Sequence, residues 1–383
     1  MTSNVAWRRI WSVAAVFFLA LFASGARAEG PWEVTPQSDR ALHRGVEWLA
    51  NRNNQGPEGN WTSNDLGLVS MGALALLSAG HTPGKGPYGE AVARALDYVL
   101  RNAKPSGLLN MADAQRDMYN HGLSTFVLGQ AYGMSSDQRL GPALDRALKV
   151  IAQTQCHDGG WDYRAHLQEN GHDLSLAVMQ AKALRSAVDS GFEVPPEVIE
   201  MAIRGVRQHY QPQGCAKTAD EAEQQKHPGQ FTYDRSGGQA SVAMAAAGVV
   251  CLQEFAQYDD WRIEKNMEVI EKALTEATKP ANRDRPPLDA YTLYYVGQAL
   301  YQVGGDRWKR CYPPLRDCLV AAQTSVPDPK QNGMWRSNGR VDGPPGDMYM
   351  TSVCCFILAM PNRYLPILQE GKIDSLRQQF RRK

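Results

Sequence analysis

The sequence lacks an excess of either charge, because 41 Lys and Arg face 40 Asp and Glu and the formal net charge is +1 at pH 7. No basic run precedes the short C-terminal stretch RQQFRRK, so nothing predicts nucleic-acid binding. Strand-like alternation of polar and apolar residues is almost absent. These absences favour an all-α protein that does not recognise nucleic acid.

The common catalytic motifs are also missing. There is no glycine-rich phosphate loop, no HExxH zinc motif and no GxSxG nucleophile turn. The seven cysteines are an odd number, and three of them lie in apolar runs. A Cys156–Cys215 bridge stays open from the sequence alone.

The N-terminus has the pattern of a secretory signal peptide. Arg8 and Arg9 precede an apolar run over 10–25, and Ala26-Arg27-Ala28 fits a cleavage site. We therefore predict a signal peptide over 1–28 and a protein exported to the periplasm or the extracellular space. The run of about 16 residues is short for a membrane span, so no stable span is expected after cleavage. An N-terminally anchored protein is the alternative. Because residues 1–28 hold three arginines and no acid, cleavage leaves a net charge of −2.

Two kinds of apolar segment alternate along the chain. The first kind is amphipathic with a helical period: Leu144, Leu148 and Ile151 share one face, while Asp145 and Lys149 point away. The second kind is apolar on nearly every face, as in LGLVSMGALALL at 66–77. Six such segments begin near residues 65, 119, 173, 238, 289 and 347, a spacing of roughly 50–65 residues.

A helix that is apolar on every face must be buried on every face. The alternation therefore predicts an all-α (α/α)6 toroid, a double ring of six outer and six inner helices, over 29–370. Residues 371–383 are expected to form a basic tail. An open helical solenoid is the rival architecture, although it would expose the apolar helices to water.

The order of outer helix, Gln, Gly-x-Trp and inner helix resembles the repeat of terpenoid cyclases and protein prenyltransferase β-subunits. Here it is Gln153 with Gly160-Trp161 and Gln323 with Gly333-Met334-Trp335. The closing segment MYMTSVCCFILAMPNRYLPI is similar to exported bacterial prenyltransferase/squalene-oxidase repeat proteins. The resemblance covers essentially the whole mature chain and implies the α/α-toroid fold.

The resemblance carries little of the family's chemistry over to this chain. The cyclase acid motif Asp-x-Asp-Asp-Thr corresponds to 171–175, where only Asp173 is retained. At the prenyltransferase zinc positions Asp289 and Asp347 remain, but Tyr291 stands in the thiolate position and Met350 in the imidazole position. A zinc site needs about four good ligands, so neither a metal nor another cofactor is expected.

If all six inner helices point the same way, the polar residues at their starts surround one mouth of the ring. His121, His172 and Asp173 are the candidates for acid–base chemistry there, although Asp also serves as an ordinary helix cap. The candidate ligand-binding residues are Tyr119, Asp289, Tyr291, Tyr294, Asp347 and Tyr349.

Three functions remain open from the sequence. The first is an exported protein that binds an isoprenoid or another lipid in an apolar central cavity. The second is an enzyme, a lyase, transferase or isomerase, that uses the His, Asp and Tyr side chains of the mouth on an isoprenoid or a glycan. The third is a non-catalytic scaffold with a filled centre. Neither the identity of the ligand nor the oligomeric state follows from the sequence.

Overall fold

The computed structural model describes residues 32–369 except 283 and 340–342. The signal peptide predicted over 1–28 and the tail predicted over 371–383 lie outside the described residues. Within them, no helix is both long enough and apolar enough to cross a bilayer.

Helices of two kinds alternate along the chain, as the repeat predicts. The outer helices are α1 (Pro36–Ala50), α4 (Gly89–Arg101), α6 (Leu140–Gln153), α8 (Pro196–Arg207), α11 (Trp261–Ala277) and α13 (Gly305–Ala322). The inner helices are α3 (Leu66–Ser78), α5 (Asp117–Met134), α7 (Leu174–Asp189), α10 (Val242–Glu254), α12 (Ala290–Val303) and α14 (Gly343–Ala359). The short helices α2 (Arg52–Gln55) and α9 (Glu221–Lys226) lie in loops, and β1 (Tyr210–Pro212) pairs antiparallel with β2 (Gly229–Phe231).

The inner helices close into a ring. Each packs against the next in the order α3, α5, α7, α10, α12 and α14, and α14 packs back against α3. All of α3 except Leu68 is buried, as expected of a helix surrounded by protein. This closure confirms the double ring and rules out the open solenoid.

The outer helices bury one face. In α6, Leu144, Leu148 and Ile151 are buried while Asp145 and Lys149 are exposed. Burying each such aliphatic side chain contributes roughly 1.5–3 kcal/mol. The outer helices therefore cover the ring and present their charges to water.

A tryptophan holds each of three inner turns to the end of the preceding outer helix. The indole N–H of Trp61 donates to the carbonyl of Leu49 at 3.0 Å, that of Trp161 to Ile151 at 2.9 Å, and that of Trp335 to Leu319 at 2.7 Å. The indole ring fills the space beneath the helix end while its one donor is satisfied.

The glutamine of the repeat links one outer helix to the next. Gln323 donates to the carbonyls of Gly333 at 2.7 Å and Ala41 of α1 at 2.8 Å, which closes the outer ring between the last repeat and the first. In the third repeat this role belongs to Gln155, which donates to Val198 of α8 at 2.9 Å. The assignment of Gln153 to the motif was therefore wrong by two positions.

Candidate functional site

Asp173 is the hub of a polar cluster at the start of α7. Its Oδ1 accepts from the backbone N–H of Leu176 at 3.1 Å, as an N-cap does, and also from the Ser175 hydroxyl. Its Oδ2 accepts from the Tyr163 hydroxyl at 2.5 Å and lies 3.2 Å from His172 Nδ1. The Asp173 side chain has no solvent exposure. The carboxylate thus gathers more donors than a helix cap needs.

Aromatic rings form one wall of the mouth beside this carboxylate. Tyr163 stacks against Tyr119 with ring centroids 5.9 Å apart and packs against His172 at 4.5 Å. The Tyr163 hydroxyl also bonds that of Tyr233, and the Tyr119 hydroxyl bonds Ser175. These four rings come from α5 and from two loops that meet at the start of α7.

The two loops are tied together below the aromatic wall. Arg235 forms an ion pair with Asp158, and Asp158 also accepts from the backbone N–H groups of Gly160 and Gly171 at 2.9 Å each. Cys156 beside it is fully buried, and neither Cys156 nor Cys215 is in a disulfide. The segment therefore fixes the rings that line the mouth.

The opposite wall comes from α12 and α14. Tyr291 lies beside Ser175 and Tyr119, and Tyr349 lies beside Tyr291 and Asp289. Tyr119, Tyr291 and Tyr349 are only partly buried by surface area, so the cluster is accessible from solvent. The structure thus brings together His172, Asp173, Tyr119, Tyr291 and Tyr349 of the predicted site.

The phenols of the mouth stay protonated. Burial raises the pKa of Tyr119 well above its ordinary value, and burial with the Asp173 hydrogen bond raises the pKa of Tyr163. Burial also raises the pKa of Tyr291 to about 12 and raises the pKa of Tyr349. At neutral pH these groups are therefore hydrogen-bond donors and acceptors, and none of them is a phenolate base.

One phenol near the mouth has no hydrogen-bond partner of normal geometry in the described part of the chain. Tyr295 is fully buried, its ring lies 4.9 Å from that of Tyr291, and its hydroxyl is unsatisfied. A buried donor without an acceptor costs about 1–3 kcal/mol. An oxygen atom supplied by a ligand or by water would remove this cost.

Two predicted acids of the mouth, Asp289 and Asp347, accept hydrogen bonds from neighbouring chain segments. Asp289 accepts from the backbone N–H of Thr292 at 3.2 Å and from its hydroxyl at 2.7 Å at the start of α12. Asp347, in α14, accepts from the backbone N–H of Ser337 at 2.7 Å. Both carboxylates are partly exposed.

His121 is not brought together with His172 and Asp173. It is fully buried between α5 and α6, where its Nδ1 accepts from the Leu109 N–H at 3.1 Å and its Nε2 faces the Ala147 carbonyl at 3.0 Å. Burial lowers the pKa of His121 to about 4. Both ring nitrogens of His121 are thus engaged with backbone groups inside the fold.

The middle of the ring holds charge. Lys182 of α7 lies 3.3 Å from Glu254 of α10, bonds Gln298 of α12, and sits over the Phe126 ring at 4.2 Å from its centroid. Burial lowers the pKa of Lys182, and Glu254 opposes that effect. Tyr294 is also here, with its ring centroid 5.9 Å from the Lys182 ammonium, so it lies below the mouth. Lys182, Phe126 and Tyr294 are each at most 1% exposed.

The sequence reasoning missed Tyr163, Tyr233, Tyr295 and Lys182. The first two lie in loops that carry no repeat signal, and Tyr295 is one of several tyrosines in α12. Lys182 had a signal, since it is a lone lysine in an otherwise apolar inner segment. Across the described ranges, no three His, Cys, Asp or Glu side chains are grouped to hold a metal ion.

The comparison with solved structures supports the fold. The chain is similar to an inactive variant of an alpha-1,6-mannanase from a Salegentibacter species, solved with alpha-1,6-mannotriose. The TM-score is 0.52 at 11% identity, over 87% of this chain and 100% of that one. A type II terpene cyclase from Scytonema, solved with geranylgeranyl dihydroxybenzoate, matches with a TM-score of 0.29 at 12% identity, over 86% of this chain and 98% of that one, which is too distant to carry an argument.

A scan against protein-family models and a search of curated proteins found no match. The expected α/α-toroid fold is confirmed: this chain is an α/α toroid.

Proposed function

We propose that this protein binds a neutral, oxygen-rich ligand, of which a saccharide is the best fit, at the mouth of the ring. The observation that carries the proposal is the ordered array of phenol hydroxyls around Asp173. Phenol hydroxyls complement sugar hydroxyls, and aromatic faces pack against the apolar faces of a sugar ring. Asp173 has no solvent exposure, so its part is to orient the phenols rather than to contact the ligand. The Asp173 carboxylate disfavours an anionic ligand in the same place.

An isoprenoid in the ring centre, as first expected, has less support. The middle of the ring is filled by side chains that include the Lys182–Glu254 ion pair. A hydrocarbon laid over the mouth would offer no hydrogen-bonding partner to the hydroxyls of Tyr291 and Tyr349, whereas that of Tyr119 already bonds Ser175. Each unsatisfied hydroxyl would cost about 1–3 kcal/mol.

Catalysis at the same site is the second candidate. His172 Nδ1 lies 3.2 Å from Asp173 Oδ2, and the His172 side chain is half exposed. In the tautomer with the proton on Nδ1, Asp173 orients the ring and leaves Nε2 free to accept a proton from a ligand. The protonated phenols support binding and do not supply a second base.

The likeness to the mannanase supports the fold alone at 11% identity, so the proposal depends on the residues of the mouth. Alpha-1,6-mannotriose is nevertheless a reasonable first probe. We also propose that the chain is exported after removal of 1–28, which leaves the toroid of 29–370 and the tail of 371–383.

The test is calorimetric titration of the mature chain with alpha-1,6-mannotriose, cellotriose, maltotriose and, separately, farnesol. At least one trisaccharide should bind, and Tyr163→Phe should weaken it about 3- to 10-fold, the worth of one hydrogen bond. Tyr132→Phe, which removes an exposed phenol outside the cluster, is the matched control. Binding of farnesol alone, or equal effects of the two substitutions, would contradict the proposal.

The enzymatic candidate is checked by analysing the products after prolonged incubation of the bound trisaccharide. Turnover that His172→Ala abolishes while leaving binding within about twofold would favour catalysis. Binding without any product over the same period would favour a binding protein.

A further inference from the structure

A short segment, 337–339, lies against the wall of the mouth that α12 and α14 form, and we call it the bridging segment. At one end, the backbone N–H of Ser337 donates to Asp347 of α14 at 2.7 Å. At the other end, a methyl group placed on Gly339 would lie 3.1 Å from the Cβ of Asp289, the N-cap of α12. The bridging segment therefore contacts the starts of both helices.

The middle residue of the bridging segment provides its hydrogen bonds to the chain before α12. The side-chain amide of Asn338 donates to the carbonyl of Pro286 at 2.9 Å and to that of Leu288 at 3.4 Å. Tyr291 follows three residues after Leu288, and Tyr349 of α14 follows two residues after the Ser337 partner. One amide thus helps to hold the two tyrosines of this wall in their relative places.

Asn338 also belongs to one of three Asn-Gly pairs in the sequence, with 170–171 and 332–333. In such a pair the backbone nitrogen of the glycine can attack the side-chain carbonyl carbon of the asparagine. A C–N bond forms and the side-chain nitrogen leaves as ammonia. Water then opens the resulting cyclic imide to aspartate or isoaspartate. Because glycine carries no Cβ that would hinder the close approach, Asn-Gly is the pair in which this reaction is favoured.

The structure distinguishes the three pairs by the hydrogen bond of the attacking nitrogen, since all three asparagines are exposed. The N–H of Gly171 donates to both carboxylate oxygens of Asp158, at 3.0 and 2.9 Å. The N–H of Gly333 donates to the carbonyl of Thr324 at 2.9 Å. In the described part of the chain, the N–H of Gly339 has only a 3.4 Å contact with the hydroxyl two residues before it. Its nitrogen is therefore the least restrained of the three.

We propose that Asn338 is a site of spontaneous deamidation, and that its conversion to aspartate or isoaspartate releases the bridging segment from the chain before α12. The reaction replaces an amide donor with a carboxylate, which can only accept hydrogen bonds. That carboxylate would face the carbonyls of Pro286 and Leu288, which are acceptors as well. Two attractive contacts would thus become repulsive.

The consequence for the mouth is a looser wall, because Tyr291 and Tyr349 stand on the two helices that the bridging segment joins. Weaker ligand binding after deamidation rests on the proposed function. The modification and the release of α12 do not, and both are tested without a ligand.

Deamidation is tested by incubating the mature chain, 29–383, at mildly alkaline pH and following the three pairs by peptide mass spectrometry. Exchange of the side-chain NH2 for OH raises the mass of a peptide by one unit, and trypsin cleavage after Arg336 separates 332–333 from 338–339. The urea-unfolded chain is the control, and each folded rate is divided by the unfolded rate of the same pair. By this ratio Asn338 should react about 5- to 10-fold faster than either other asparagine, the effect of one hydrogen bond. Equal ratios, or a smaller ratio at Asn338, would overturn the proposal.

The release of α12 is tested by hydrogen exchange on two variants that carry the same change of charge. Asn338→Asp reproduces the product, whereas Asn332→Asp alters another exposed asparagine of the same loop. Exchange over 286–293, whose sequence is the same in both variants, should be about 3- to 10-fold faster in Asn338→Asp and within about twofold of the parent in Asn332→Asp. Unchanged exchange in Asn338→Asp, or an equal increase in the two variants, would refute the release.

Discussion

The buried ion pair in the ring centre gives the sharpest test of how the inner helices hold together. Replacing Lys182 with Met keeps the length of the side chain and removes its charge. The substitution leaves the Glu254 carboxylate, whose side chain is 1% exposed, with the Gln302 amide, at 2.8 Å, as its one hydrogen-bond donor among the described residues. Removing one partner of a buried pair costs about 3–5 kcal/mol because the other charge stays desolvated.

This cost can be expressed as a melting temperature. About 330 residues are described, and roughly 2.1 cal/mol/K per residue gives an unfolding entropy near 0.7 kcal/mol/K. A loss of about 4 kcal/mol then lowers Tm by roughly 6 °C. Calorimetry of Lys182→Met measures the shift, and urea unfolding gives the free energy independently.

The double variant Lys182→Met, Glu254→Gln distinguishes the contribution of the ion pair from that of side-chain packing. Because no unpaired charge remains, the double variant should lose less free energy of unfolding than the two single variants lose in sum. The difference should be at least about 2 kcal/mol. Lys149→Met is the matched control, since Lys149 pairs with Asp145 at 2.7 Å on the surface, and it should cost less than about 0.5 kcal/mol. A Lys182→Met loss as small as that control would refute the reasoning.

Three further predictions concern the fold. The folded pKa of His121, about 4, lies below its unfolded value of 6.5, so the stability that neutral His121 contributes is present above pH 6.5 and lost as pH falls toward 4. His121→Gln should therefore reduce, by about 2–3 kcal/mol, the loss of unfolding free energy between pH 7.5 and 4.5, measured by urea unfolding. An unchanged loss would contradict this. Gly159→Ala should lower the free energy of unfolding by several kcal/mol, because φ is +88° and a Cβ would lie 2.0 Å from a carbonyl oxygen of α8. Gly191→Ala is the control: φ is +85° but the space is open, so it should cost only about 1 kcal/mol. Equal costs in urea unfolding would mean that the close approach to α8 does not matter. Gln323→Ala leaves the buried carbonyl of Ala41 without its side-chain donor and should lower the free energy of unfolding by about 1–3 kcal/mol, which calorimetry would detect.

The architecture was predictable because the alternation of amphipathic and fully apolar segments reports burial directly. A segment such as 66–77 has one stable environment, the inside of a ring. The turn motif added the tryptophan hydrogen bonds of Trp161 and Trp335, which the structure confirms. The register of its glutamine was not predictable, because Gln153 and Gln155 are only two positions apart in the sequence and the hydrogen bond to α8 identifies Gln155.

The candidate site was only partly predictable. Asp173 and His172 could be placed at a helix start from local sequence, but the hydrogen-bond network around Asp173 draws on other segments. Tyr163, ten positions away, donates to Asp173, and Tyr233, sixty positions away in another loop, bonds Tyr163. His121 and His172 occupied equivalent places in the repeat, yet they face different neighbours, because α5 begins four residues before His121 while α7 begins two residues after His172.

The contact between Gln323 and Ala41 joins positions 282 residues apart in the chain. Every other junction of the ring joins neighbouring repeats, so this one differs only in that no peptide connects its two sides. The helices therefore form a closed ring, although the chain that builds it has two ends. Because Glu33 and Arg363 already touch, a short linker between the two ends would make the ring continuous, and the chain could be opened at another loop without changing which helices meet.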